Sequence, residues 1–568
     1  MSTEGSDRPL TRAELRAQRE AAERAAEGTA SDVSPLVDDR PPVAPHPLAA
    51  EDGIPIPVSS DSEGASASVQ QSDPAVASGS GRIPPFGASE TRPEREITPR
   101  TNDGDVRRGA KPERGRFPVV LGAVIGVLVL AGAGLTAATL LQGPRISKVQ
   151  ASPEQAIEAS GTRVILTANE PLAAIDEKQV EVEPKVPFTV DAGGRSVGVR
   201  FTVPLDDDTD YRITVKGVSG SGGGPSSDLS TTVTTPPSQI FLLQRNTGDE
   251  DDVIFRSDLG GERGVPVFTH PKISDFRETP TGLVVAVEED EGSTLLVMDR
   301  QGGHQRKLSL PGDGFVSTLQ ISDRGNLVGY NYSDRNLSDT EGRASVLVTQ
   351  SLSGDDKPRI VRVGDKEASI ADWRFVPDSS SLLFIDFENA LSVEDPTTDA
   401  GVQSMGLAAA VLGVTRGTYT AIVERADGTI VNLDLTTGEE KEAPPTEPDY
   451  GPAQAVVPFP GGTLQHVVQR DDDGMPTGQA VLRVDDEGKA EPLYEVGDSD
   501  TILQVCASPS GQYTGIVAAP DLVNNPYDQM LLPLPETMHL HLFDTESGEE
   551  LRTLDGFDVS WCALAPGW

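Results

Sequence analysis

Residues 370–386 read IADWRFVPDSSSLLFID. An apolar strand with alternating faces runs into a turn of Pro, Asp and Ser, and a second apolar strand leaves it, the pattern of a tight β-hairpin. The same line recurs along the C-terminal half of the chain: ISDFRETPTGLVVAV at 273–287, STLQISDRGNLVGYN at 317–331, AVLGVTRGTYTAIVE at 410–424, AVVPFPGGTLQHVVQ at 455–469, ILQVCASPSGQYTGIVA at 502–518 and VSWCALAPGW at 559–568. With Gly282, Gly325, Ser379, Gly417, Gly462, Gly511 and Gly567 as turn markers, the steps are 43, 54, 38, 45, 49 and 56 residues. Four-stranded propeller blades repeat every ~40–50 residues.

Each copy is followed by further strands, such as STLLVMDRQGG, ASVLVTQSLSG, GTIVNLDLTTGE and MHLHLFDTESGE. Their D-x-x-T-G and D-x-x-S-G ends place Asp and Gly where a hairpin needs positive φ. The last copy, at 557–567, has no strands after it. The missing three stand at the start of the repeat region: QIFLLQR, DVIFRSD and GVPVFT within 239–269. One blade shared between the two ends of the repeat region leaves no open sheet edge. Seven blades are expected over 237–568; six or eight also fit, because 381–420 is weakly patterned. The motif at 370–386 resembles the strand pair of TolB-type, WD40-like propellers, with Phe375-Val376 before the Pro and Ser where that family has Gly. The resemblance implies a fold; such blades serve binding proteins and gate peptidases.

Residues 146–236 also alternate with period two. Val164, Leu166 and Ala168 form one face, Val197, Val199 and Phe201 a second, and Tyr211, Ile213 and Val215 a third. Broken by PLDDD and SGSGGG, these runs predict a β-sandwich. ANEPL, VEVEP, YRITVKGVSGSGGGP and TTVTTPP follow the order of motifs in bacterial Ig-like domains of the SbsA type, a resemblance that implies a spacer or adhesive module.

Phe117–Leu141, FPVVLGAVIGVLVLAGAGLTAATLL, contains no charged residue. At ~1.5 Å per residue its 25 residues span a ~30 Å hydrocarbon core. It starts too far from the N-terminus, and runs too long, for a signal peptide. Arg107, Arg108, Lys111, Arg114 and Arg116 crowd its N-terminal flank, against Arg145 and Lys148 beyond the other. The positive-inside rule therefore makes the N-terminus cytoplasmic and exports everything after about residue 142. Gly122 and Gly126 form the G-x-x-x-G spacing of close helix pairs, so a homodimer is one reading and ordinary membrane-helix glycine content the other. Residues 1–116 form a disordered tail, of which 29–116 is too rich in Pro, Ser, Ala, Gly and charge to fold. One short helix is expected in it at 11–27, opened by the capping box Thr11–Glu14 and ended by Gly28. The composition points to a GC-rich, actinobacterial genome. The expected fold class is thus an all-β ectodomain, sandwich plus propeller, behind one membrane helix and a disordered tail.

The chain has 47 Lys and Arg against 89 Asp and Glu, and residues 142–568 carry a net −37 of the total −42. Such a balance excludes nucleic acid as partner, since phosphate binding needs a basic face. No G-x-S-x-G or H-E-x-x-H is present, so no catalytic, cofactor-binding or metal residue is assigned. His539 and His541 share one strand face, but two ligands do not make a zinc site. Asp249–Asp252, Asp471–Gly474 and Asp485–Gly488 put carboxylates beside Gly without the full register of a calcium loop; they read as solvated hairpin tips or as weak cation sites. Asp275 and Asp372 precede their turns at equivalent positions. They read as channel carboxylates for acid–base chemistry, or as anchors between blades.

The favoured expectation is a membrane-anchored extracellular protein that binds or scaffolds a protein or glycan of the cell envelope. An envelope hydrolase or lyase using the channel carboxylates, and a sensor relaying to the tail, are the alternatives. Cys506 and Cys562 are the only cysteines. Each lies five residues before its turn Gly on neighbouring copies of the repeat, so a disulfide locking the propeller's ends is expected. Two buried thiols are the alternative.

Overall fold

The structure is a computed structural model and describes residues 143–567, apart from 247, 249, 262, 323, 325, 339, 340, 355 and 356. The tail, its helix at 11–27, the span at 117–141, Gly122 and Gly126 lie outside the described residues. Among the described residues no helix is long and apolar enough to cross a membrane.

The chain first builds a seven-stranded sandwich. Strands β1 (Ile146–Gln150), β2 (Arg163–Ala168), β3 (Val180–Glu183), β4 (Phe188–Gly193), β5 (Ser196–Phe201), β6 (Asp210–Val218) and β7 (Ser227–Thr234) form two antiparallel sheets, ordered β1-β2-β5-β4 and β3-β6-β7. The three period-two faces read from the sequence are all buried, and Leu166, Val199 and Ile213 have no exposed surface. A short helix, α1 (Pro153–Glu158), has Pro at its start and buries only Ala156.

Seven further blade-forming sheets follow. Six are four-stranded meanders: blade 2 over Ile273–Leu308, blade 3 over Gly314–Ile360, blade 4 over Ile370–Leu407, blade 5 over Ala410–Glu442, blade 6 over Ala453–Gly497 and blade 7 over Thr501–Asp555. Blade 1 has three strands, Gln239–Gln244, Asp252–Asp258 and Val265–His270. The terminal segment supplies its fourth, innermost position. There the expectation needs correction: 557–567 is not a full strand. Phe557 makes one antiparallel bridge with Leu243, each amide donating to the other's carbonyl at 2.9 Å, and the chain then turns. Asp558 adopts φ +58°, a conformation costly for a side-chain-bearing residue, so the segment leaves strand geometry at once.

The first strands of blades 2 to 7 share an irregularity. Each register shifts once, near the strand's start between Ile273 and Asp275, Ile370 and Asp372, Val411 and Gly413, Ala453 and Ala455, and Ile502 and Gln504, and mid-strand between Ser317 and Gln320. Such bulges bend and twist a strand, as the rim of a narrow ring requires. Trp373 then packs fully buried, edge-on to Phe375 at 5.5 Å. Its space comes from the neighbouring blade: a Cβ on Gly329 would stand 2.6 Å from the indole.

Candidate functional site

The polar residues of the inner strands fasten blades together. Asp275 and Arg277 sit on the first strand of blade 2, two residues apart and therefore on one side of it. Arg277 Nη1 lies 3.0 Å from Asp275 Oδ1 and 2.6 Å from Asp558 Oδ2, and Nε donates to Leu319 O at 2.9 Å in blade 3. Leu319 N donates in turn to Asp275 Oδ2 at 3.2 Å. From the other side Gln504 of blade 7 donates to Asp558 Oδ1 at 2.9 Å and to Leu564 O at 2.5 Å. Arg277, Asp275 and Asp558 are all more than nine-tenths buried. Burial pushes the Asp275 carboxyl up to about 7, against the opposing pull of Arg277. It raises Asp558 as well.

Asp372 does occupy the position in blade 4 that Asp275 holds in blade 2, directly after the bulge. It pairs with Arg374 of its own strand, which also donates to Trp373 O at 2.7 Å. The two candidate carboxylates are therefore not brought together; each faces the arginine two residues on. Gln320 takes the same position in blade 3 and clasps blade 4, donating to Trp373 O at 2.9 Å and accepting from Phe375 N at 3.2 Å. The recurring D-x-R of SDFRE and ADWRF was the available signal for these clasps. Asp558 had none, because its partner is reached only when the ring closes.

The disulfide is present. Cys506 and Cys562 are bonded across a Cα separation of 5.3 Å, both buried. It joins the first strand of blade 7 to the turn after Phe557 rather than to an equivalent point of a neighbouring strand.

The two ends of the ring differ. The sandwich and the ring form one compact unit, and the sandwich sits against the end that carries the turns between first and second strands. Ser160 Oγ donates to Asp378 Oδ2 in blade 4 at 2.7 Å, and Arg324 of blade 3 to Ser160 O at 3.3 Å. In blade 7, Tyr513 OH donates to Asp207 Oδ1 and Gln512 Oε1 accepts from Asp207 N, both at 2.8 Å. Arg300 of blade 2 lies 2.9 Å from Glu158 and 2.8 Å from Glu278. Burial holds Glu278 near 7.

The opposite end carries the loops between second and third strands. It is knit by Arg245 to Asp528 at 2.8 Å, by Leu531 N to Glu288 at 3.0 Å and by Arg335 to Glu291 at 3.7 Å. The loop 520–538 of blade 7 thus reaches across blade 1 to blade 2. All seven of these loops expose acidic side chains: Glu250 and Asp251, then Glu289 to Glu291, Glu341, Glu388, Asp427, Asp471 to Asp473, and Asp521 with Glu536.

Other sequence candidates stay local. Asp471 accepts from Asp473 N at 3.0 Å and Met475 N at 2.8 Å, and Asp485 from Glu487 N at 3.1 Å and Lys489 N at 2.8 Å, so each leading carboxylate closes its own turn. Asp249 lies outside the described residues. His541 faces Glu550 at 2.8 Å and Tyr494 OH at 3.2 Å, while His539 lies 3.5 Å from Asp555. Among the described residues no three of His, Cys, Asp and Glu converge as a metal site.

No family model matches the chain, and no curated protein matches it. Solved structures do. The β-propeller domain of Myceliophteria thermophila Cps50 (Swd1) is 14% identical over 50% of this chain and 86% of its own, with a TM-score of 0.34. A prolyl endopeptidase is 12% identical over 57% of this chain and 50% of its own, TM-score 0.41. A Bacteroides thetaiotaomicron protein of unknown function is 12% identical over 67% and 96%, TM-score 0.32.

Proposed function

We propose that the chain is a membrane-anchored binding or scaffold protein of the cell envelope, with residues 117–141 across the bilayer and the tail in the cytoplasm. In this reading the sandwich is an Ig-like spacer, and the propeller offers its free end to an envelope protein or glycan. The observation that carries the reading is the asymmetry of the ring: one end is occupied by the sandwich, while the other presents the loops between second and third strands to solvent, the longest of them, 520–538, fixed by Asp528 and Asn525. Loops on a rigid scaffold are where proteins place recognition. The buried carboxylates support it from the other side. Asp275 and Asp558 are buried against Arg277, with Leu319 N and Gln504 donating to them, and a general acid must reach its substrate within hydrogen-bond distance.

The test is capture from envelope extract by the purified full-length protein. A specific protein or glycan is expected to be retained by the wild type and by Glu546→Lys/Glu549→Lys at the sandwich end, and lost with Asp472→Lys/Asp473→Lys at the free end. Turnover of an envelope glycan or peptide that disappears with Asp275→Asn or Asp372→Asn overturns the binding reading in favour of a hydrolase or lyase.

A further inference from the structure

The free end exposes apolar side chains as well as acidic ones. Leu337, Phe387, Met475, Val523, Leu531 and Leu532 stand on the second-to-third loops of blades 3, 4, 6 and 7, between 49% and 89% exposed. Scattered surface leucines need no explanation, but three of these six lie on one loop, which the structure holds in place rather than leaving free. Asp528 accepts from Met530 N at 3.2 Å and Leu534 N at 3.1 Å, Asn525 bridges to Thr537 N at 2.9 Å and Thr537 O at 2.7 Å, and Leu534 is buried beneath. Leu531 and Leu532 are thereby presented outward at an ordering cost already met in folding.

The charge around them selects the occupant. Asp386 and Glu388 flank Phe387, Asp471 to Asp473 precede Met475, Asp521 precedes Val523, and Glu289 to Glu291 lie beside the far end of the 520–538 loop. Four arginines of this end pair with carboxylates, Arg245 with Asp528, Arg335 with Glu291, Arg343 with Asp334 and Arg425 with Glu440, while Arg470 donates to Gly474 O. Like charge at this end disfavours a second copy of the same chain, an anionic lipid surface and any acidic partner. We propose, resting on the binding reading above, that the free end docks a basic, amphipathic protein segment. Its apolar side chains cover Leu531 and Leu532, and its Lys and Arg side chains meet the acidic loops.

The test uses the full-length protein in discs of zwitterionic phosphatidylcholine. The probe is a fluorescent 18-residue peptide of Lys and Leu patterned as an amphipathic helix, with Lys→Glu and Leu→Ser versions beside it. The Lys/Leu peptide is expected to bind with an affinity that falls as salt rises. Leu531→Ser/Leu532→Ser should weaken it about tenfold, as the loss of central apolar anchors does. Asp472→Asn/Asp473→Asn should weaken it and flatten its salt dependence, and Glu546→Gln/Glu549→Gln should leave it unchanged. Unchanged melting of the Ser variant confirms that exposed residues alone were altered. Equal weakening by the sandwich-end variant, no effect of Leu531→Ser/Leu532→Ser, or equal binding of the Glu or Ser peptide overturns the inference. A photoreactive residue at 531 in cells separates it from the broader reading. Labelling of an acidic or neutral partner removes this inference alone, while no labelling above that at position 546 removes both.

Discussion

Arg277 is where one residue does most for the ring. It bonds carboxylates from its own strand and from the terminal segment, and a carbonyl from the next blade. Replacing it with Met would leave Asp275 and Asp558 buried and unpaired, so Arg277→Met is expected to cost about 3–5 kcal/mol in chemical unfolding. Asp275 carries the pH dependence. Its folded value is near 7 and its unfolded value lies in the ordinary carboxylate range. The folded state therefore binds more protons than the unfolded between about pH 4 and 7, and this group's contribution declines as pH rises through that window. Melting temperature measured from pH 5 to 8 should fall with pH in the wild type and fall less in Asp275→Asn. An equal slope in the variant would assign the effect to another group, and Glu278, also near 7, is the next to test. Of this cluster only Asp275 was legible in the sequence, as one half of an either-or between channel chemistry and blade anchoring; the geometry favours the anchor.

At the scale of elements, the sheets were legible because each carries its own signal. The inner hairpin copies, the Asp-Gly turn ends and the period-two faces of the sandwich all depend on residues close in sequence. Gly438 and Gly548 do adopt positive φ at the ends of D-x-x-T-G and D-x-x-S-G. The terminal segment was misread because the repeat signal in VSWCALAPGW is local, whereas Asp558 and the Cys562 turn answer to distant partners. The disulfide was found all the same, since the two positions need only approach one another. It closes a loop over a separation of 56 residues, and Cys506→Ser/Cys562→Ser is expected to lose at most about 4 kcal/mol in the chain-entropy account. The sandwich seat was not legible at all, because Ser160, Asp207, Asp378 and Tyr513 are ordinary loop residues until the fold assembles them. Asp207 also accepts from Ser238 N at 2.7 Å, at the junction between sandwich and ring. Asp207→Ala should expose residues 235–238 to limited proteolysis well before the propeller itself is cut.

At the scale of the whole molecule the described residues place a sandwich at one end of the ring and acidic and apolar loops at the other, and the proposal puts the anchor ahead of the sandwich. Composition hinted at the charge but not at its placement, since strand order decides which turns share an end. The most direct measurement is labelling of single introduced cysteines in living cells with a membrane-impermeant maleimide, the native pair being bonded. Leu531→Cys should react in cells stripped of their wall and outer envelope, and be protected when the envelope is intact. Glu546→Cys should react equally in both, and Ser6→Cys in neither. Labelling of position 6 with none at 531 would contradict the orientation, and equal labelling of 531 with and without the envelope would contradict the free end as the binding surface.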